Sequence, residues 1–254
     1  VLTDANDTLN GTVGNDTFTG TTADLSADDR IVDTSVTDND VFNLVATADP
    51  AAMDVTSVET INIDWQGFGT PDIDLDNVSG ATVVLSSSKV GYLGNANFDN
   101  VSENNVSVGA GVTGTVTVDG AENMTVTATV ADTVDIGTGT AADGLITVNA
   151  GAAETVNITG ADDVVLVASS AEAITIDTAF DTADLTLGAS GDITLQGATD
   201  ATVVIRGETG ETNIDLDVQA SMTLETITLE GDATIDLDFA DDADLSGLDL
   251  NNGG

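Results

Sequence analysis

The stretch ETVNITGADDVVLVASSAEAITI, Glu154–Ile176, contains three short runs, ETVNI, DVVLV and EAITI, in which an apolar residue returns at every second position. Period-two alternation puts Val, Leu and Ile on one face of a strand and Thr, Asn or Asp on the other. Gly, Ala, Asp and Ser separate the runs, which is turn chemistry. Glu154 and Glu172 open equivalent phrases, with DVVLV between them. Two strands per coil, with a coil of about 18–20 residues, is the simplest arrangement that returns like residues to like positions.

Outward from this stretch the same pattern holds. NVSV, GTVTV, NMTVTA, DTVDI and GLITV precede it from Val106 onward, and ADLTL, GDITL, ATVVI, TNIDL, SMTLETITL and ATIDL follow it. An acid-Thr-apolar-x-apolar phrase recurs at Glu59, Asp132, Glu154 and Glu225, and Glu225 falls close to three coil steps beyond Glu172. Short strands at this spacing fit two all-β architectures. An array of β-sandwich domains needs bulky side chains to fill a core about 10 Å thick. A β-solenoid of the parallel β-helix or β-roll kind has a narrow interior that Val, Ile, Leu and Ala fill. Trp65 is the sole Trp, Tyr92 the sole Tyr, and only Phe180 and Phe239 stand among the regular runs, so the solenoid is the expected fold. Residues 106–254 read as the regular solenoid. Residues 1–105 hold both prolines, the sole Lys and most aromatics, and read as a less regular N-terminal part with loops.

The charge excludes several functions. The 254 residues carry a formal charge of -42, from 36 Asp and 9 Glu against three basic residues, with no His and no Cys. Nucleic acids and anionic membranes need Lys and Arg, so neither is an expected partner. No apolar run approaches the roughly 20 residues of a membrane-spanning helix, so membrane insertion is not expected. Without Cys there are no disulfides, and stability must come from long sheets and bound cations. The chain starts at Val1 without Met or a leader-like apolar run, as expected of a processed chain, a fragment or a protein exported by a signal elsewhere. The preference for Asp over Glu favours turns and hard cations over solvated helices.

Near the N-terminus, NDTLNGTVGNDTFTGT, Asn6–Thr21, repeats itself at a period of nine, with Asn6, Asp7, Thr8, Leu9 and Gly11 over Asn15, Asp16, Thr17, Phe18 and Gly20. The unit resembles the nonapeptide of the RTX (repeats-in-toxin) family, Gly-Gly-x-Gly-x-Asp-x-apolar-x. In GTVGNDTFT, Gly11, Gly14, Asp16 and Phe18 match, and Thr12 departs. The resemblance implies Ca²⁺ as cofactor, with Asp16 and Asp7 as carboxylate ligands and the turns at Gly11 and Gly14 supplying backbone oxygens. Family sites form between turns stacked about 18 residues apart. Two adjacent nonapeptides do not complete one, so another coil or another molecule must contribute. The acid-rich loop ending in VFNL, the phrase SVETINI and the long Thr/Ala/Val/Gly region resemble more broadly bacterial calcium-dependent surface-layer proteins and related secreted surface proteins. That resemblance implies an extracellular, cell-surface location and self-assembly.

Further Asp clusters are candidate cation sites. In PDIDLDN, Asp72, Asp74 and Asp76 share one face if the segment is a single strand, about 6.5–7 Å apart along it. Asp215 with Asp217 and Asp236 with Asp238 repeat the theme, and ADDADLSG places Asp241, Asp242 and Asp244 in a turn. Like charges so placed repel unless a cation or a wide solvated face relieves them.

An enzyme is not expected. A lyase needs cationic groups and an acid/base on its solenoid face, and a two-carboxylate hydrolase would have only Asp64, Trp65 and Asp72 as a platform. The expected function is a structural, self-assembling extracellular protein forming a lattice or filament, with Ca²⁺ stabilising the coil and the subunit contacts. Its partners are further copies of itself, with a cell-surface glycan or anchoring protein as a second class. The competing expectation is a repeat spacer, adhesin or virion-surface segment that binds cells, glycans or ice. Thr ladders such as Thr115/Thr117 and Thr125/Thr127/Thr129 break register and are better explained by the preference of Thr for exposed strand faces.

Overall fold

A computed structural model describes every residue except 36, 90–93, 110, 121, 138–143, 178–179, 188–190, 197–200, 208–211, 219–223, 231–232, 240–248 and 253–254. The described residues form strands and turns with no helix. The chain divides into two compact units, Val1–Thr127 and Ala128–Gly254. Each is a parallel β-solenoid.

In the first unit the strands are β1 Thr8–Asn10, β2 Thr17–Thr21, β3 Arg30–Val32, β4 Val41–Ala46, β5 Asp54–Thr56, β6 Thr60–Trp65, β7 Asp72–Asp74, β8 Asn77–Ser79, β9 Thr82–Ser86, β10 Ala96–Asp99, β11 Asn105–Val108, β12 Thr115–Asp119 and β13 Met124–Thr127. They stack into three parallel faces, β1-β3-β5-β8, β2-β4-β6-β9-β11-β13 and β7-β10-β12. Residues before Asn105 are therefore coiled as well. In the second unit, β14 Thr133–Gly137, β16 Thr155–Thr159, β18 Ala173–Asp177, β20 Gly191–Gln196, β22 Thr212–Val218 and β24 Ala233–Phe239 make one face. β15 Leu145–Asn149, β17 Asp163–Ala168, β19 Thr182–Leu187, β21 Ala201–Gly207, β23 Leu224–Glu230 and β25 Asp249–Asn252 make the other.

Alternation along each strand becomes stacking between coils. Phe18, Phe42, Ile61, Val83, Val106 and Val126 lie in register and are buried. In the second unit Val134, Val156, Ile174 and Ile193 do the same. Each such side chain leaves water for about 1.5–3 kcal/mol, and the narrow interior lets nearly every inward residue reach full burial. One layer is completed from outside the repeat. Gly20 aligns with Leu44 and Ile63, and the buried Leu2 lies over Gly20, where a Cβ would come within 3.2 Å of Leu2 Cβ. The Leu2 N–H donates to Thr19 O at 2.9 Å, holding the segment on the outer edge of β2.

Coil length follows the turns. Leu145 pairs with Asp163, Asp163 with Thr182 and Thr182 with Thr202, so these coils have the length that the sequence predicts. Coils are longer where turns carry extra residues, as between the paired Thr17 and Val41 and between the paired Thr82 and Asn105. One kind of corner recurs. Ser57, Gly80, Asn100, Gly120 and Gly160 adopt left-handed backbone, with φ of 56°, 70°, 55°, 72° and 81°. Val58, Ala81, Val101 and Ala161, which follow four of them, are buried. The left-handed residue reverses the chain so that its apolar successor turns inward.

Candidate metal centre

The first two coils build a concentrated acidic site. Gly11–Asp16 joins β1 to β2, and residues 33–40 join β3 to β4. Parallel pairing of Asn10 with Val32 and of Thr17 with Val41 lays the second turn on the first. Backbone bonds flank the joint, from Gly11 N–H to Val32 O at 2.9 Å and from Val41 N–H to Asp16 O at 3.0 Å.

Asp16, Asp33 and Asp40 converge in this joint, each offering a carboxylate oxygen, with these atoms all within 4.8 Å of one another. Asp40 is 0% exposed and Asp33 3%. Part of each carboxylate is used by the backbone. Asp40 Oδ1 accepts the Asp16 N–H at 2.7 Å, Asp16 Oδ2 accepts the Thr12 N–H at 2.5 Å, and Asp33 Oδ2 accepts the Ser35 N–H. The remaining oxygens of the buried pair, Asp33 Oδ1 and Asp40 Oδ2, have no hydrogen-bond partner, nor does either oxygen of Asp38. Gly11 lies beneath the cluster. A Cβ there would run into Asp33 Oδ1 and approach Asp16 Oδ2 to 3.1 Å.

Electrostatics follow from this crowding. Burial pushes the Asp40 carboxyl above the ordinary Asp range; the hydrogen bond from the Asp16 backbone opposes that, and the charges of Asp33, Asp38 and Glu59 reinforce it. The Asp40 N–H donates in turn to Glu59 Oε2 at 2.7 Å, so equivalent positions on three coils are linked. An all-oxygen, all-anionic donor set with orphaned buried atoms fits a hard cation such as Ca²⁺. Atoms 4.8 Å apart or less fall within the span of two calcium–oxygen bonds of about 2.3–2.6 Å each.

The sequence-predicted residues are distributed differently. Asp16 and Gly11 are at the site. Gly14 is exposed, with its N–H 3.4 Å from Thr12 Oγ1. Asp7 lies at the start of β1, where its Oδ2 accepts the Thr3 N–H at 2.6 Å and the Thr3 hydroxyl at 2.9 Å, and its own N–H donates to the buried Asp29 at 2.6 Å. Asp72, Asp74 and Asp76 do not form one continuous strand. β7 ends at Asp74, and Asp76 turns so that its N–H donates to Asp74 Oδ1 at 3.1 Å. Asp74 instead meets the next coil, in register with Asp99 and accepting from Asn100 Nδ2 at 2.9 Å. Asp215 pairs with Asp236 and Asp217 with Asp238 in backbone register. Asp241, Asp242 and Asp244 lie outside the described residues. Trp65, weighed above as part of a binding platform, is buried.

Asp33, Asp38 and Asp40 escaped sequence reasoning. The available signal was TDNDVF, Thr37–Phe42, over VGNDTF, Val13–Phe18. Asn39, Asp40 and Phe42 repeat Asn15, Asp16 and Phe18 at a spacing of 24, which a search at a period of nine or its double passes over. Compared with family models, with curated proteins and with solved structures, the chain matches none.

Proposed function

We propose that this protein is a structural, self-assembling component of an extracellular surface, related in kind to RTX-like calcium-dependent surface-layer proteins, in which Ca²⁺ bridges acidic outer faces of neighbouring copies. The observation that carries the reading is the return of Asp to equivalent positions coil upon coil, Asp74 in register with Asp99 and, along the backbone ladder, Asp215 with Asp236 and Asp217 with Asp238. Parallel strands lie about 4.7–4.9 Å apart, so such a row is a line of like charge. A chain with three basic residues has little of its own to neutralise it. Divalent cations from outside relieve the row and allow two such faces to approach. Parallel coils also present open strand edges, which favour association in a series.

Sedimentation velocity tests this reading. With about 5 mM Ca²⁺ the chain is expected to form large species that dissociate on chelation and do not form in equal Mg²⁺. A monomer under all three conditions rejects self-assembly and favours a spacer or adhesin segment whose charge serves solvation.

A further inference from the structure

We propose that Asp16, Asp33 and Asp40 hold one Ca²⁺ ion inside a single chain, as a clamp between the first and second coils. The inference rests on the calcium part of the reading above and not on self-assembly. Asp33 and Asp40 are 3% and 0% exposed, each keeps one buried oxygen without a partner, and their carboxylates converge with that of Asp16. Leaving ionised carboxylates dry and unpartnered is among the costlier arrangements a fold can keep. Relief comes from a proton or a cation. Several carboxylates in one joint exceed what a single proton neutralises, whereas a divalent ion satisfies several oxygens at once.

The ligands come from both turns. Asp16 belongs to the first coil, and Asp33 and Asp40 to the second, so the ion ties strands β1 and β2 to β3 and β4. Gly11 makes the joint wide enough, because a side chain there would occupy the place of Asp33 Oδ1. Calcium suits the site better than magnesium. Calcium takes 6–8 oxygens in flexible geometry, with water and backbone carbonyls completing the shell, whereas magnesium demands a near-ideal octahedron at about 2.0–2.1 Å and gives up its waters reluctantly.

The test is calcium titration of the full chain by calorimetry, with retained ions counted by native mass spectrometry, for the parent and for Asp33→Asn, Asp40→Asn, Gly11→Ala and the control Asp132→Asn, at an exposed residue outside the acidic clusters above. The parent and the control should retain one tightly held Ca²⁺ above a background of weak uptake. Asp33→Asn, Asp40→Asn and Gly11→Ala should weaken that ion about tenfold or more, since ligand charge sets affinity in such sites. In calcium-free buffer Asp33→Asn should melt no lower than the parent, which separates loss of a ligand from loss of the fold. If Asp40→Asn does not fold, Asp33→Asn and Asp16→Asn decide. Parent-like binding in Asp33→Asn, or a parent chain showing weak uptake only, overturns the proposal. Asp33→Asn should keep calcium-dependent sedimentation, because that depends on the outer faces, so failure of the clamp and failure of self-assembly give different results.

Discussion

Asn104 shows how a single polar side chain holds a coil in place. It is 0% exposed, its Oδ1 accepts the Ala81 N–H at 2.9 Å, and its Nδ2 donates to the Val78 and Val101 carbonyls at 2.8 Å each. Asn104→Ala removes all three bonds, leaving the Val101 carbonyl only the residue-104 N–H at 3.0 Å, and is expected to cost about 2–4 kcal/mol, read by chemical denaturation. Titration at residue level runs in two directions. Burial, then the charge and hydrogen bond of Asp72, then the charges of Asp119 and Asp74 hold Asp99 above the ordinary Asp range. The folded chain binds this proton at a pH where the unfolded chain, titrating near about 3.9, has released it. Stability therefore falls as pH rises through the folded pKa of Asp99 and is regained on acidification. Asp64 behaves oppositely. Burial raises its pKa, but the hydrogen bonds from Ser88 Oγ, Gln66 and the Ser88 N–H outweigh that and hold it below the usual range. Its contribution is present above the unfolded pKa and lost as pH falls through the folded one. In calcium-free buffer the melting temperature is expected to rise as the pH is lowered from neutrality through the raised pKa of Asp99 and to fall again at more acidic pH as Asp64 is protonated, with Asp99→Asn removing much of the rise. At this scale Asp16 and Gly11 were legible from the nonapeptide alone. Asp33 and Asp40 were not, because they reach the cluster from a neighbouring coil whose longer turn shifts the repeat off any multiple of nine.

At the level of strands and corners, the alternation in ETVNI, DVVLV and EAITI carried over directly, since the inward residues Val156, Ile158, Val164, Leu166, Ile174 and Ile176 are all buried. Ile158→Ala, with Ile136 and Ile176 in register on either side, leaves a cavity that a stacked core closes poorly and is expected to cost about 2–5 kcal/mol. Corners were less legible. Ser79-Gly80-Ala81, Asp119-Gly120-Ala121 and Thr159-Gly160-Ala161 recur at even spacing, and all three glycines are left-handed. Ser57 and Asn100 take the same conformation without being glycine, which hides the pattern from a reading that relies on Gly as punctuation. Gly160→Ala is expected to destabilise the second unit by about 1–2 kcal/mol, and Asn100→Gly to be neutral or stabilising by a few tenths of a kcal/mol. Thermal denaturation of the two variants side by side checks both signs. The segment Asp72–Asp76 illustrates a different limit. Its spacing suggests one acidic strand, but the chain turns after Asp74, where Leu75 and Val78 must both be buried within one short corner. Asp72 and Asp74 consequently face Asp99 of the next coil.

For the whole molecule, composition was the strongest guide. Small β-branched side chains, few aromatics and an Asp-dominated charge are what a narrow parallel solenoid with acidic outer faces requires. Coil length was harder to read, because each turn sets it independently and the stacked strands tolerate coils as short as Leu145 to Asp163 and as long as Asp72 to Asn97. On this account calcium has two tasks, an internal clamp in the first coils and a bridge between copies. The bridge lies at exposed faces and is lost first, whereas the interior of each solenoid is held by apolar stacking that needs no ion. The most direct measurement is a chelator titration of the calcium-assembled chain, followed on one sample by sedimentation velocity and by hydrogen exchange. The account predicts that assembly disappears while strands of the second unit such as β16 and β17 keep full protection, with protection in β1–β4 declining as the clamp empties. Loss of protection throughout both units in step with loss of assembly would contradict it, because calcium would then be holding the coils themselves rather than the contacts between copies.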